Sequence, residues 1–504
     1  MEVITCSETP SNQAGRARLT GGRTTHYCQL VRRGGLTGGL ALLVAMTAGC
    51  SPRPRQAILI TIDALRDDHV GPRPQGDSLT PELDRLRDDG VRFKDALTSA
   101  TTTMASHASM LTGLRPHRHG LTGNDGALDS SLTTLAGVLR ARGVRTGAVV
   151  SSFVLRSEGG LGLGFETYDE SFDLREQTRV GQRVKTPAAT TRTALDFVAH
   201  HRGEPFFLWV HYFPPHGPYT PPAEYLRPDE RAAQPGDGQA LEVSAGNYER
   251  GKVPKYQRLE GVEGAQAYRE RYAAHVRYVD HYVGQLLNGL REQGLYDRAL
   301  VVATSDHGES LGEHGWYFCH GNLVYQEQAR VPLLVKFPKG GFAAGGSANA
   351  PVELVDVMPT VLAFFGASAP GDLDGQDLAP ALGTQRVAAD RVRVTQSTDG
   401  ELTAVVLGPA KLVERRGPAR LVDAAYPQRQ LFRLDRDAGE SRDIASQEPA
   451  LVRTLSDLMP RCRRPVRQQG LSSETREQLR TLGYVVESAG GEPCTDVPGT
   501  PRPH

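Results

Sequence analysis

The run AILITI at 57–62 constrains the fold most. An apolar, β-branched run of this kind forms a strand buried on both faces, the sort that parallel sheets contain. It ends at Asp63. Four more strand-like runs follow: GAVVSSFV (147–154), FFLWVHY (206–212), ALVVAT (299–304) and PLLVKF (332–337). Helical patterns lie between them. Thr80 and Pro81 open one as N-cap and first residue, Leu83 and Leu86 mark its apolar face, and Gly90 ends it. Leu132, Leu135, Val138 and Leu139 mark another, closed by Gly143. Tyr272, Val276, Val279, Val283, Leu286 and Leu290 carry a stripe that stops at Gly294. Strands alternating with helices predict an α/β fold with a mostly parallel sheet covered on both faces. Ligands in such folds sit beyond the carboxyl ends of the strands. Asp63, Asp306 and His307 all stand just after strand-like runs. Residues 170–200 and 225–265 have little periodicity and read as surface insertions. After about Gly366 the pattern changes. VRVTQS (392–397), TAVVLG (403–408) and QLFRLD (430–435) predict a small antiparallel unit, with a terminal helix near Ser472–Leu482. The tail from Glu487 is Gly/Pro-rich and reads as disordered.

The 504 residues allow one large domain or two to three ordinary ones. Lys+Arg and Asp+Glu both number 58, so no basic excess points to nucleic acid. Six cysteines are too few for a disulfide framework at this length; Cys6, Cys28 and Cys319 are scattered, and Cys462 with Cys494 is a candidate bridge in an oxidising compartment. The stretch VRRGGLTGGLALLVAMTAGC (31–50) carries Arg32 and Arg33, then a short apolar run over Leu36–Met46, then small residues before Cys50. It reads as a lipoprotein signal with lipid on Cys50, although Thr47 stands where Leu is usual; an ordinary signal peptide is the alternative. The run is too short for a stable membrane span. The expectation is an exported, periplasmic protein lipid-anchored to the bacterial envelope. Residues 1–30 would then precede a true start near Val31, and 51–56 would be a polar tether.

The stretch TTTMASHASMLTG (101–113) leads three threonines into a helix that ends at Gly113. A hydroxyl in the first turn sits by free N–H groups at the positive end of the dipole, which favours an alkoxide and bound anionic oxygens. A threonine there is also an ordinary N-cap. Asp63, Thr103, His216 in PPHGPYTPP, and the block SDHGESLGEHG (305–315) with CHG (319–321) carry the candidate chemistry; the block supplies Asp306, His307 and His314, and CHG supplies His320. Two carboxylates, one imidazole and one alkoxide oxygen would make a four-ligand divalent site.

These pieces resemble the sulfatase family of the alkaline phosphatase superfamily. The resemblance is carried by ITIDALRDDHVG, TTTMASHASMLTGLRPHRHG, FFLWVHYFPPHGPY, SDHGESLGEHG, YQEQARVPLLVKFP, VELVDVMPTVLAFFG, LFRLDRDAGESRDIA and LRTLGYV, in the family's order over about 57–485. It implies an alkaline-phosphatase-like large mixed sheet over 57–370 with a small C-terminal α+β subdomain over 371–486, leaving a leader (1–50) and a tail (487–504). Sulfatases proper read C-x-P-S-R-x-x-x-L-T-G and oxidise the Cys or Ser to formylglycine. Counted back from Leu111-Thr112-Gly113, that position is Thr103, which cannot become formylglycine, and the motif Arg is His107. The family's G-K-W-H block falls near Val150–Val154, which reads VSSFV. Three parts of one device are missing together, as expected if the nucleophile is different.

Other branches of the superfamily use an unmodified threonine as both nucleophile and metal ligand. The resemblance to them implies Asp63, Thr103, Asp306 and His307 around one divalent ion. Imidazole suits zinc or manganese better than calcium, though calcium stays open. It further implies Asn124 as an oxyanion binder, and His216, His320 and, at the motif-arginine position, His107 as catalytic residues around the reacting group. Tyr212 stands where two-zinc relatives have an Asp. The expected activity is hydrolysis of a sulfate or phosphate ester, with phosphodiesters included, by attack of Thr103. The alternatives are a phosphoryl-group transferase and an inactive binding homologue. The expected partners are a small-molecule, glycan or lipid-headgroup ester, and a membrane reached through Cys50.

Overall fold

The apolar run at 57–62 forms a strand inside an eight-stranded sheet, and all its residues are buried. The computed structural model describes residues 54–481 apart from 74–75, 173–183, 229, 231–239, 247, 263, 342–344, 383–389, 418, 462–463 and 465–470. The signal with Cys50, the tether up to 53, Cys6, Cys28, Cys462, Cys494, Leu482 and the tail lie outside the described residues.

In chain order the principal elements are β1 (Gln56–Ile62), α1 (Pro81–Asp88), β2 (Val91–Leu97), α2 (Thr103–Thr112), α3 (Leu135–Arg140), β3 (Arg145–Val149), β4 (Thr167–Asp169), α4 (Pro187–His201), β5 (Phe206–Tyr212), α5 (Ala265–Glu292), β6 (Leu300–Ser305), β7 (Leu333–Lys336), β8 (Gly346–Glu353) and α6 (Val357–Phe365). The sheet order is β8-β2-β7-β6-β1-β5-β3-β4. β7 runs antiparallel to β2 and β6, and every other pairing in this sheet is parallel. The fold is therefore the expected α/β type with a mixed, mostly parallel sheet. A second, four-stranded antiparallel sheet is built from β9 (Val392–Gln396), β10 (Leu402–Leu407), β11 (Ala410–Arg415) and β12 (Arg429–Arg433), with helix α7 (Pro449–Asp457) after it.

Alternation along β1 sends residues to two cores. Ala57 and Leu59 pack with Met104, Ala105, Ala108 and Leu111 of α2 and with Val357, Met358 and Val361 of α6. Ile58, Ile60 and Ile62 pack with Leu83 and Leu86 of α1, Ala194 and Val198 of α4, and Val276, Val279 and Val283 of α5. Helices thus cover both faces, and α2 is buried on every side.

Three departures from the sequence reading have physical reasons. The stretch 170–200 is not all surface insertion, because α4 packs Thr190, Thr191, Ala194 and Val198 inward. Small and hydroxylated side chains make that face, so no apolar stripe announced it. Strands β2, β8 and β11 went unannounced because VRFKDAL, GSANAPVE and AKLVER mix charged or small residues with apolar ones. The run GAVVSSFV leaves the strand at Val149 and turns through a short helix at Phe153–Leu155.

Candidate active site and metal centre

β1 and β6 are adjacent and parallel, so their carboxyl ends bring Asp63 and Asp306 to one place. Helix α2 starts beside them. Its cap residue Thr102 is extended (φ −129°, ψ 145°), and Thr103 is its first residue. The cap comes from elsewhere: the Met104 N–H donates to Asn124 Oδ1 at 2.9 Å. Gly113 closes the helix with φ 67°, a left-handed conformation that suits glycine.

One ligand atom from each of Asp63, Asp306 and His307 lies within 4.8 Å of the others, and all three residues are buried. His307 Nε2 is 3.7 Å from Asp63 Oδ1, 3.4 Å from Asp306 Oδ2 and 3.3 Å from Thr103 Oγ1. His307 Nδ1 donates to Gly308 O at 2.9 Å, which turns Nε2 toward the two carboxylates and the Thr103 hydroxyl. Asp306 Oδ1 accepts from the N–H groups of Ala64 (3.1 Å) and His307 (2.9 Å). Asp63 Oδ1 and Asp306 Oδ2 are buried without a hydrogen-bond partner. Burial, then the charge of Asp306, pushes the Asp63 carboxyl well above its ordinary range. Burial acts on Asp306 too, but the imidazoles of His307, His107 and His211 outweigh it and hold that carboxyl low.

Two further histidines line the site. His216 Nδ1 donates to Gly217 O at 2.8 Å, and its ring centroid is 4.8 Å from that of His320. The His320 ring stacks on His307 at 4.2 Å. Burial lowers His216 to about 3 and His320 to about 4, so both rings are neutral at pH 7. His320 Nδ1 is 3.1 Å from Glu309 Oε1, and burial pushes the Glu309 carboxyl up to about 7. Tyr219 donates to the other Glu309 oxygen at 3.0 Å.

Thr103, Asp63, Asp306, His307, His216, His320 and Asn124 thus come together, and two named residues do not belong with them. His107 lies under the site rather than in it. Its Nδ1 donates to Thr103 O at 2.8 Å, and its Nε2 is 3.0 Å from Thr61 Oγ1, which also accepts from Trp209 Nε1. Both nitrogens are engaged by Thr103 O and Thr61 Oγ1, so the ring holds the first turn of the helix and has no nitrogen left for a substrate. His314 turns away through a left-handed backbone (φ 54°) and stacks on Tyr325 at 4.0 Å. Tyr212 points into the far core, where its hydroxyl meets Thr191 Oγ1 at 2.7 Å. Sequence reasoning passed over Glu309 and His211. His211 is the one imidazole in the apolar run FFLWVHY, and that incongruity was the available signal.

Residues 55–367 match the family model for sulfatase. The multifunctional alkaline phosphatase superfamily protein PehA of Trinickia caryophylli is 26% identical over 398 residues, 65% of this chain and 77% of that protein. An arylsulfatase of Clostridium perfringens is 26% identical over 377 residues, 64% of this chain and 77% of its own length. Among solved structures, a complex with the substrate D-glucosamine-2-N,6-O-disulfate superposes with a TM-score of 0.64 at 21% identity, over 86% of this chain and 99% of that one. The phosphonate monoester hydrolase of Agrobacterium radiobacter gives 0.61 at 20% identity, over 81% and 94%. These two likenesses bear on the fold, while the family match takes in β1, α2, β5 and β6 with all the residues of the site: the chain belongs to the sulfatase family.

Proposed function

We propose that this chain is a metal-dependent hydrolase that cleaves a sulfate or phosphate ester by in-line attack of Thr103 Oγ1. Family membership makes it an ester hydrolase. One observation carries the finer reading: Asp63 Oδ1 and Asp306 Oδ2 are buried without a hydrogen-bond partner beside His307 Nε2, at a helix start that presents a threonine hydroxyl. Unpaired carboxylate oxygens in an interior are costly unless a cation joins them. The donor set therefore fits one divalent ion held by Asp63, Asp306, His307 and Thr103, and its imidazole favours zinc or manganese. Such an ion, when bound, supplies a lowered pKa for the hydroxyl and a counter-charge for the ester oxygens.

The residues divide the remaining work. Thr103 Oγ1, its proton lost to solvent at the lowered pKa before attack, forms the new bond to sulfur or phosphorus as the bond to the leaving oxygen breaks opposite. The Asn124 carbonyl is occupied by the helix, so its NH₂ is the group left for a non-bridging oxygen. His320 Nε2–H protonates the leaving oxygen while the Glu309 proton passes to Nδ1, so the pair delivers one proton net. His216, a neutral ring whose Nδ1 donates to Gly217 O, takes a proton from the water that releases the Thr103 ester.

The test is a panel of aryl sulfate, phosphate mono- and diester and phosphonate substrates, run with Zn²⁺, Mn²⁺ and Ca²⁺. Thr103→Ala should lose turnover by more than about 10³-fold, and a Thr103 ester should be trapped in the parent. Parental turnover by purified Thr103→Ala protein would end this reading. The leader reading has its own test: lipid labelling of the expressed chain should vanish in Cys50→Ala.

A further inference from the structure

We infer that His211 is a positioning residue for Asp63, holding the carboxylate by Oδ2 through its Nε2–H and leaving Oδ1 turned toward His307. The inference rests on the metal-site reading above.

The two carboxylates need the same thing and obtain it differently. Asp306 has Oδ1 tethered by two backbone N–H groups and Oδ2 bare. Asp63 has Oδ1 bare and Oδ2 3.5 Å from His211 Nε2. The register explains why an imidazole stands there. His211 pairs with Thr61 across the parallel β1–β5 ladder, two residues before Asp63, on the face that carries Trp209 and the His107 ring at 5.2 Å.

The tautomer follows from its other nitrogen. The Ser151 N–H points at His211 Nδ1 at 3.4 Å, so Nδ1 accepts and the proton is on Nε2. Ser151 Oγ also donates to the His211 carbonyl at 2.5 Å, which fixes the backbone of β5 at this residue. His211 is fully buried, its Nε2 has no other polar partner, and Asp63 Oδ2 at 3.5 Å is a few tenths of an ångström beyond hydrogen-bond reach. A buried N–H left unsatisfied costs about 1–3 kcal/mol, and the carboxylate oxygen is the group it faces. Outer groups that orient a metal ligand in this way govern metal affinity by about 10- to 100-fold.

The experiment titrates apoprotein with Zn²⁺ and Mn²⁺ against a chelating competitor, in the parent, His211→Phe and His211→Gln. Phenylalanine fills the space without an N–H. Glutamine reaches the Nε2 position with an amide N–H. His211→Phe should bind the metal about 10- to 100-fold more weakly, and His211→Gln should recover most of that loss. Co²⁺-loaded parent and Gln variant should share one visible spectrum, because a positioning residue leaves the coordination number unchanged. If the parent holds no metal, the site reading fails and this inference with it. If the parent binds metal and His211→Phe binds equally well, this inference alone fails. A Gln variant no better than Phe makes the role one of packing, and a changed Co²⁺ spectrum in His211→Gln makes His211 a direct ligand; either overturns the inference. Should His211→Phe not fold, the Gln titration and the Co²⁺ spectra still decide.

Discussion

His107 is the residue at which sequence and structure part most usefully. The sulfatase motif that the sequence resembles has an arginine there, and in the proposed reading its replacement goes with the use of Thr103 as the nucleophile. In this fold a neutral imidazole does the holding: burial lowers His107 to about 3, and a carbonyl and a hydroxyl fix its two nitrogens. His107→Leu should therefore lower stability by about 1–3 kcal/mol, since it leaves the buried Thr61 O–H without its acceptor while Trp209 still donates to the oxygen, and leave KM unchanged. Urea unfolding and steady-state kinetics check this; a raised KM at full folding would return His107 to the substrate. The residues proposed as ligands could be picked out in the sequence because strand ends and a helix start are where chemistry collects in a parallel sheet. Glu309 was not picked out, because it is one of several acidic residues in the polar block 305–315, and His211 was not, because a single imidazole in an apolar run does not by itself say what it faces. His314 misled because it is close to His307 in sequence, and one left-handed turn separates them in space.

At the scale of elements, strands read well where they are buried on both faces and poorly at the margins. β1 and β5 fall almost where the apolar runs put them, whereas β8 is an edge strand with small and polar residues. The caps of α1 and α2 were also hard to read, because they come from distant chain. Thr80 is the cap residue of α1, but its hydroxyl accepts from Gly71 N, and Asp280 of α5 takes the Glu82 and Leu83 N–H groups at 2.9 and 3.0 Å. Burial pushes the Asp280 carboxyl up to about 7. A folded pKa above the unfolded value means that the folded chain holds the extra proton. Stability from this group is therefore full below about pH 4 and is lost as the pH rises through about 7. Asp280→Asn removes the titration, so its melting temperature should fall less than the parent's between about pH 5 and about pH 8. Parallel slopes for the two proteins would show that Asp280 is ionised throughout.

At the scale of the whole molecule, the small sheet supplies none of the four proposed ligands yet grips the segments that carry them. Strand β9 bonds to the chain just before Thr103: Gln396 N donates to Ser99 O, Thr101 N donates to Gln396 O, and Thr395 Oγ1 donates to Thr98 O at 2.6 Å. Strand β11 reaches the chain just after His320, where Lys411 Nζ donates to Val324 O at 2.6 Å and pairs with Glu440 Oε1 at 2.7 Å. Glu440 Oε2 accepts from Gln326 N. Lys411 and Glu440 are both buried, and burial pushes the Glu440 carboxyl up even with the ammonium beside it. Removing one partner of such a pair strands the other charge, at about 3–5 kcal/mol. Lys411→Met should lose that much in urea unfolding, whereas Lys411→Met with Glu440→Met should recover most of it, because two apolar groups leave no charge behind. If the grip also sets Thr103 and His320, kcat/KM should fall in the single variant by more than its unfolded fraction explains and return in the double. A single variant with parental stability would mean that water reaches Glu440, and that the small sheet rests on the large one without holding it.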